Sequence, residues 1–526
     1  MIINKKQYIY LILIFCIEFF SIYYARFYYD GFHLGLLINA AADIDAGKLI
    51  YKDFFYEYGL LNVYLNLLIL KISNFNIFSL FVVYIQFYIA GIFLLYLTTK
   101  NLLNINYAIL LVIIFFIIHP YILKPWHNYI LFFLLSLYLY LKSLFVPKYD
   151  VIASFFLGIA FLFSETFLIT SFFIFTADLI ISYQYLNKKF LYKKIIYFIA
   201  PYFLFFIYLL NSNLYNDWLL HNNTYPVLLK YFYKSDIFSY IINNLQTFIL
   251  SYKYLYSDMT IFFYSLIFLC NLIFIISNTK DFFKKNLDSK NLFFLFVSIL
   301  NLLLISQILS NISTFKLITL SSFGFIIVFI YIKKIKDNYL RKLLVLIIIL
   351  ISINSLLDPK KEWNAKKYLF SNSNINFKGF NFLRSQKYPE NIWEHLKSFD
   401  KLSYKIKHKC NIEYFANLTD DAYYYFLVRE KFKFPQFLYW YQYQDKFYKN
   451  KYYQSLTDLF DKNFPIKVNE EMKNNNIFFI TDVSNKNQIF LLNKKVSFKS
   501  NYTAKYLPYS SQHKQKIILI PKDCSI

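Results

Sequence analysis

Between position 8 and about position 356, apolar runs of roughly 17 to 25 residues follow one another, each long enough to cross the hydrocarbon core of a bilayer. Charged residues fall largely between the runs, because lipid offers no partner to an unsatisfied backbone group or charge. The pattern predicts a polytopic α-helical membrane protein, and the 58% hydrophobic content of the 526-residue chain agrees. Eleven spans are expected, at 8–27, 77–98, 106–121, 127–145, 150–164, 166–185, 195–211, 260–277, 291–309, 316–332 and 342–356. Residues 1–356 then form a membrane domain. From 357 to 526 charges become frequent and apolar runs shorten to strand length, which marks a second domain.

The net charge of +25 says more about composition than about a partner. Phe, Tyr, Ile, Asn and Lys, all with A/T-rich codons, are over-used, and every basic residue except Arg26, Arg341, Arg384 and Arg429 is a lysine. Nucleic-acid binding calls for a basic face with clustered arginines and stacking aromatics. Here the aromatics lie in the apolar runs, so nucleic acid is not an expected partner.

The lysines report orientation instead. With a cytoplasmic N-terminus, the inside segments hold Lys5, Lys6, Lys100, Lys142, Lys148 and the clusters Lys188–Lys194, Lys280–Lys290 and Lys333–Lys342. The outside loops are longer yet carry fewer cations, and residues 357–526 fall outside. This count requires that 59–75, apolar but interrupted by Asn62, Asn66 and Lys71, does not span. It reads as an amphipathic helix at the outer interface. Residues 32–46 read likewise, with Leu36, Leu37, Ala40, Ala41 and Ile44 on one stripe and Gly47 as C-cap. External loops are thus expected at 28–76 and 211–258, the latter with Asp217, Trp218 and His221.

In the second domain 477–483, 488–493 and 516–521 read as strands and 448–463 as a helix, which makes an α/β domain. A disulfide is open to Cys410 and Cys524 if that domain is extracytoplasmic, whereas Cys16 and Cys270 sit in spans as inert thiols. The basic N-terminus lacks a small-residue cleavage site and reads as a retained first helix.

The stretch from Tyr29 to Gly59, YDGFHLGLLINAAADIDAGKLIYKDFFYEYG, gathers five acidic residues, a histidine and two lysines beside the first span. Charges there are costly unless they bind or react with something. Asp30 ends the first span, and Gly31 permits an abrupt turn. A carboxylate in that place can act as general base on an acceptor hydroxyl or simply stop the helix. His33, three residues on, faces the same site if the turn is helical. Asp43 and Asp45 form a D-x-D pair whose side chains diverge on a helix, so a solvated helix end is favoured over a divalent metal. Tyr51, Lys52, Asp53 and Glu57 stand in an aromatic-rich segment suited to a sugar ring or to an interfacial belt.

Farther along, Lys124 and His127 flank Pro125-Trp126, Glu165 interrupts FLFSETFL, and Lys316 lies between the ninth and tenth spans. An isolated Glu in so apolar a run is expensive unless paired. All four fall on the outer face in this topology, where they could line a phosphate-and-sugar cavity or snorkel at helix ends.

The pattern D-G-x-H-x-G, then G-K-x-x-Y-K-D-F-F-x-x-Y-G, resembles the first external loop of the GT-C superfamily of polytopic glycosyltransferases. In particular it looks like the bacterial branch similar to protein O-mannosyltransferases and lipid A aminoarabinose transferases. The motif-level likeness covers about residues 26–75, and the layout agrees over the whole length. By this resemblance Asp30 matches the catalytic carboxylate, and Gly47, Tyr51, Lys52, Asp53, Phe54 and Gly59 match the second half of the loop signature. The acid that usually pairs with the first carboxylate is missing, with Gly31 and then His33 in its place, so a divalent-metal requirement stays open.

The resemblance implies a hexosyl- or pentosyltransferase of a bacterial inner membrane, with a polyprenyl-phosphate sugar as donor and a glycan, lipid or protein as acceptor. There is no G-x-x-x-x-G-K-[ST] loop, H-E-x-x-H or paired Cys-x-x-Cys, which fits a lipid-phosphate donor better than a nucleotide sugar. Two other readings stand beside it. A transporter or flippase of lipid-linked saccharides would show inverted halves with broken helices, which the 8 glycines and 11 prolines do not suggest. A non-catalytic surface-polysaccharide assembly protein would keep much the same pattern.

Overall fold

The computed structural model describes residues 5–29, 31, 33–54, 56, 58–118, 127–144, 146–183, 188–219, 259–308, 322–357, 374–376, 380–419, 421–428, 431–433, 463–491, 494–498, 501–508 and 515–526. Each expected span overlaps a helix over its described residues: α1 (Lys5–Ala25), α4 (Ile77–Leu102), α5 (Ile105–Ile118), α6 (His127–Ser143), α7 (Pro147–Phe163), α8 (Leu168–Tyr183), α9 (Lys188–Asn211), α10 (Met259–Phe283), α11 (Ser289–Ile308), α12 (Gly324–Lys334) and α13 (Asn338–Leu357). Among the described residues, four stretches are long and apolar enough to cross a membrane by length and composition: Tyr8–Ala25, Ile77–Leu102, Lys188–Asn211 and Ser265–Phe283. The other helices do not meet that combination of length and composition over their described residues, so the expected count of eleven crossings is not established. Phe15 and Phe19 of α1, Phe172 and Phe173 of α8 and Phe203 and Leu204 of α9 face outward, as they do on a surface made for lipid.

Helices α4, α6, α7 and α9 pack in succession, and α11 joins α8 to α10. At one end of this bundle four charges close a ring. Lys142 of α6 reaches Asp150 of α7 at 3.0 Å and also binds Asp178 of α8. Lys194 of α9 reaches Asp150 at 2.8 Å and Asp178 at 2.9 Å. All four are buried, and Asp178 also accepts from Tyr138 and Ser182, each at 3.0 Å. This corrects the reading of Lys142 and Lys194 as loop cations. Charges withdrawn from water persist only when paired and hydrogen-bonded, and here each carboxylate bridges both lysines.

The first loop holds α2 (His33–Asp45) and α3 (Leu60–Ile72), the two helices expected there. Their setting differs from an open interface. The residues from Leu34 to Asp43 are all buried, because a short helix of the second domain, α15 (Tyr423–Val428), packs on α2. On α3 two of the three supposed interruptions, Asn62 and Asn66, turn inward. Asn66 donates to Asn62 at 2.9 Å, Tyr56 donates to Asn62 at 2.7 Å, and Tyr84 of α4 hydrogen-bonds Asn66. Lys71 pairs with Asp45 at 2.6 Å. Gly47 does cap α2: at φ 85 it lets its own amide reach Ile44 and that of Lys48 reach Asp43.

In the second domain β3 (Tyr414–Asn417) runs parallel to β4 (Ile477–Asp482), which pairs antiparallel with β8 (Lys516–Pro521), itself antiparallel to β7 (Tyr502–Tyr506). Smaller ribbons join β1 (Asn374–Asn376) to β2 (Lys387–Pro389) and β5 (Gln488–Leu491) to β6 (Lys494–Ser497). All three expected strands are present. The expected helix 448–463 lies outside the described residues except at Asn463, which opens α16 (Asn463–Lys473). The amphipathic α14 (Glu390–Cys410) buries Ile392, Trp393, Leu396 and Phe399. A Cys410–Cys524 disulfide, with Cα atoms 5.4 Å apart, ties its end to the C-terminal residues. The domain rests on the bundle end opposite the charge ring, where the Lys387 amide donates to Arg26 at 2.6 Å and Asn76 to Ser385 at 3.1 Å.

Candidate functional site

The chain leaves α2 through Gly47 and makes a tight turn at 49–53. The Asp53 amide donates to the Leu49 carbonyl and the Leu49 amide donates back to Asp53 Oδ2, at 2.9 and 2.7 Å. Asp53 thus spends one carboxylate oxygen on its own turn, and both it and Lys52 are exposed. Tyr51 goes the other way. It adopts a left-handed backbone, φ 71, that is unusual for a bulky side chain, and its ring is 4% exposed. Such strain persists only when the surroundings over-determine it, and it concentrates at functional sites.

The Tyr51 hydroxyl donates to Glu165 Oε1. Glu165 opens a 3-10 turn, Glu165–Phe167, between α7 and α8, where extended Ser164 breaks the helical path. Its other oxygen accepts from Trp218 Nε1 at 3.2 Å. Trp218 belongs to the short helical stretch 215–219 after α9 and packs edge-on to Phe205 and Phe206 at 5.6 and 5.8 Å. Burial first, then the Glu165 charge, holds the Tyr51 phenol well above its ordinary value, so it stays a donor. The loop returns past Gly59, where a Cβ would sit 2.2 Å from the Leu162 carbonyl; only glycine lets it lie against the end of α7.

Two candidates from the sequence, Tyr51 and Glu165, therefore meet directly, with Trp218 as a third member. Asp30, Glu57, Lys124 and Lys316 lie outside the described residues. His33 and His127 begin α2 and α6, and their side chains lie outside the described residues. Asp43 and Asp45 take separate partners: Asp43 accepts from Lys48 at 3.0 Å and Tyr425 at 2.7 Å, while Asp45 binds Lys71. No group of three or more His, Cys, Asp or Glu side chains fit to hold a metal occurs among the described residues.

Sequence reasoning passed over Asp421. This carboxylate of the second domain is 1% exposed and accepts from the Tyr29 hydroxyl at 2.5 Å. Burial first, then the Asp421 charge, raises the Tyr29 phenol well above its ordinary value. It passed over Asp150 and Asp178 too, although the argument that an acid in an apolar run needs a partner applies to them as to Glu165.

No family model and no curated protein matches the chain. Among solved structures, the crystal structure of the apo oligosaccharyltransferase of Archaeoglobus fulgidus is similar to it, with a TM-score of 0.48 and 11% sequence identity over 91% of this chain and 70% of that one.

Proposed function

We propose that this chain is a membrane glycosyltransferase that moves a hexosyl or pentosyl group from a polyprenyl-phosphate donor to an acceptor hydroxyl on the outer face of the membrane. The observation that carries the reading is the placement of the first loop. Gly31, Gly35 and Asn39 of that loop meet Asp421 and Ala422 of the second domain, and its Tyr51 is held on Glu165 of the bundle. A mere tether between two spans needs neither the left-handed tyrosine nor the half-buried acid that holds it.

In this mechanism Asp30 takes the proton of the acceptor hydroxyl. The hydroxyl oxygen then forms a bond to the anomeric carbon as the bond from that carbon to the phosphate oxygen breaks. Polyprenyl phosphate leaves, its charge met by Lys124 or Lys316. His33, Lys52, Asp53, Glu57 and His127 would contact the sugar or acceptor. Glu165, gripped by Tyr51 and Trp218, fixes the loop against the bundle.

A bacterial inner membrane, with the N-terminus cytoplasmic, is the proposed setting. The lysine asymmetry supports it, and so does the Cys410–Cys524 disulfide, since such bonds persist in oxidising compartments. Cysteine labelling from the outer side after residue 360 tests this, and labelling only of broken membranes would reverse the orientation. For the chemistry, Asp30→Asn keeps the size but removes the base. We predict that transfer from a polyprenyl-phosphate sugar falls by about 10²–10⁴-fold with insertion intact. Transfer at the wild-type rate would remove Asp30 from the mechanism.

A further inference from the structure

We infer that Asp421 is a positioning residue of the proposed transfer site, gripping the first loop from the second domain. This rests on the function proposed above. Oδ2 of Asp421 accepts from the Tyr29 hydroxyl at 2.5 Å and Oδ1 from the Tyr423 amide at 2.9 Å, so one buried carboxylate joins loop to domain. The next residue continues the contact through its backbone. The Ala422 amide donates to the Gly31 carbonyl at 2.9 Å, and the Ala422 carbonyl accepts from Asn39 Nδ2 at 2.9 Å.

Both glycines of D-G-F-H-L-G are the footprint of this contact. A Cβ on Gly31 would lie 2.3 Å from Asp421 Oδ1, and one on Gly35 would lie 2.8 Å from the Ala422 Cβ. In the sequence Asp30 stands between Tyr29 and Gly31, the two residues gripped. Behind the contact the segment is braced by its own domain. Asn417 Nδ2 donates to the Asp421 carbonyl at 2.7 Å, and Thr419 Oγ1 accepts from the Asp421 amide at 3.1 Å. His395 Nδ1 lies 2.7 Å from the Pro508 carbonyl, which can only accept. Nδ1 therefore carries the proton, and Tyr424 donates its hydroxyl to Nε2. A carboxylate so fully buried is costly unless it is hydrogen-bonded, and Asp421 meets that cost through the Tyr29 hydroxyl and the Tyr423 amide.

The test uses the full chain in phospholipid vesicles, with a polyprenyl-phosphate sugar as probe and amide hydrogen exchange across residues 29–45 as a readout independent of activity. Asp421→Asn should speed exchange in that segment and lower kcat by about a hundredfold, the scale of an ångström-sized misplacement, with the donor KM unchanged. Gly35→Ala should act the same way, and adding Ala422→Gly, which removes the opposing Cβ, should restore both readouts. If Asp421→Asn fails to fold, Tyr29→Phe, which deletes one hydroxyl, carries the same test with a smaller loss. Unchanged exchange in both Asp421→Asn and Gly35→Ala overturns the grip. Faster exchange with wild-type kcat overturns the positioning role. Should the wild type transfer no sugar, the functional proposal fails by itself, and the exchange data still decide the contact.

Discussion

At its first turn α7 presents Asp150 to two lysines; just past its last turn, about 22 Å away along the helix, Glu165 meets a phenol and an indole. Both carboxylates break an apolar helical context. The first sits in a closed ring whose two positive and two negative groups satisfy one another. The second accepts from the neutral side chains of Tyr51 and Trp218, which come from two different connecting segments. A ring of matched charges locks α6, α7, α8 and α9 together. Among the described contacts, Glu165 anchors a loop through a phenol and an indole.

That contrast can be broken by substitution. The largest expected effect is at the ring: Asp178→Ala strands two buried lysines on one remaining aspartate. We predict a loss of about 3–5 kcal/mol in unfolding free energy, with replacement of all four charges by apolar residues costing much less. Equal losses for the single and fourfold variants would show that the ring is not a self-compensating unit. Next is Tyr51→Phe, which removes one donor from Glu165. The expected cost is about 1–3 kcal/mol of stability, accompanied by a fall in transfer that Asp178→Ala does not reproduce in the protein that remains folded. If transfer tracks stability alike in both variants, the two ends are equivalent and Glu165 has only a structural part.

Smaller effects sharpen the picture around the loop. Gly47→Ala places a Cβ on a left-handed residue with open space around it, so only backbone strain opposes it. Thermal unfolding should show about 1–2 kcal/mol of destabilisation. The smallest effect belongs to Lys71→Ala, which removes a half-exposed pair with Asp45; it should cost at most about 1 kcal/mol and less at high salt. A larger loss would mean that α3 depends on that pair and not on its buried asparagines.

What could be read in advance was local. The limits of α4, the strand at 477–482 and the cap at Gly47 follow from side-chain period and backbone preference within a few residues. The burial of α2 could not be read that way. Its stripe of Leu36, Leu37, Ala40, Ala41 and Ile44 is compatible with a lipid interface, and what covers the rest of it stands hundreds of residues on: the Asn39–Ala422 bond spans 383 positions. Asn62 and Asn66 misled for a related reason. A polar residue on an apolar helix marks an outward face only if no partner waits inside, and Tyr56 and Tyr84 are such partners.

The sequence by itself determined that the chain is a run of apolar helices followed by a mixed α/β domain, and that its first loop carries an unusual concentration of acids and glycines. Those features depend on the length and period of segments, which the order of residues sets directly. Only the tertiary structure decided that Asp150 and Asp178 share two lysines, that Glu165 holds Tyr51 and Trp218, and that Gly31 and Gly35 make room for Asp421 and Ala422. Each of those is a pairing between distant segments, and the cost of a buried charge says that a partner must exist without saying which one the packing brings near.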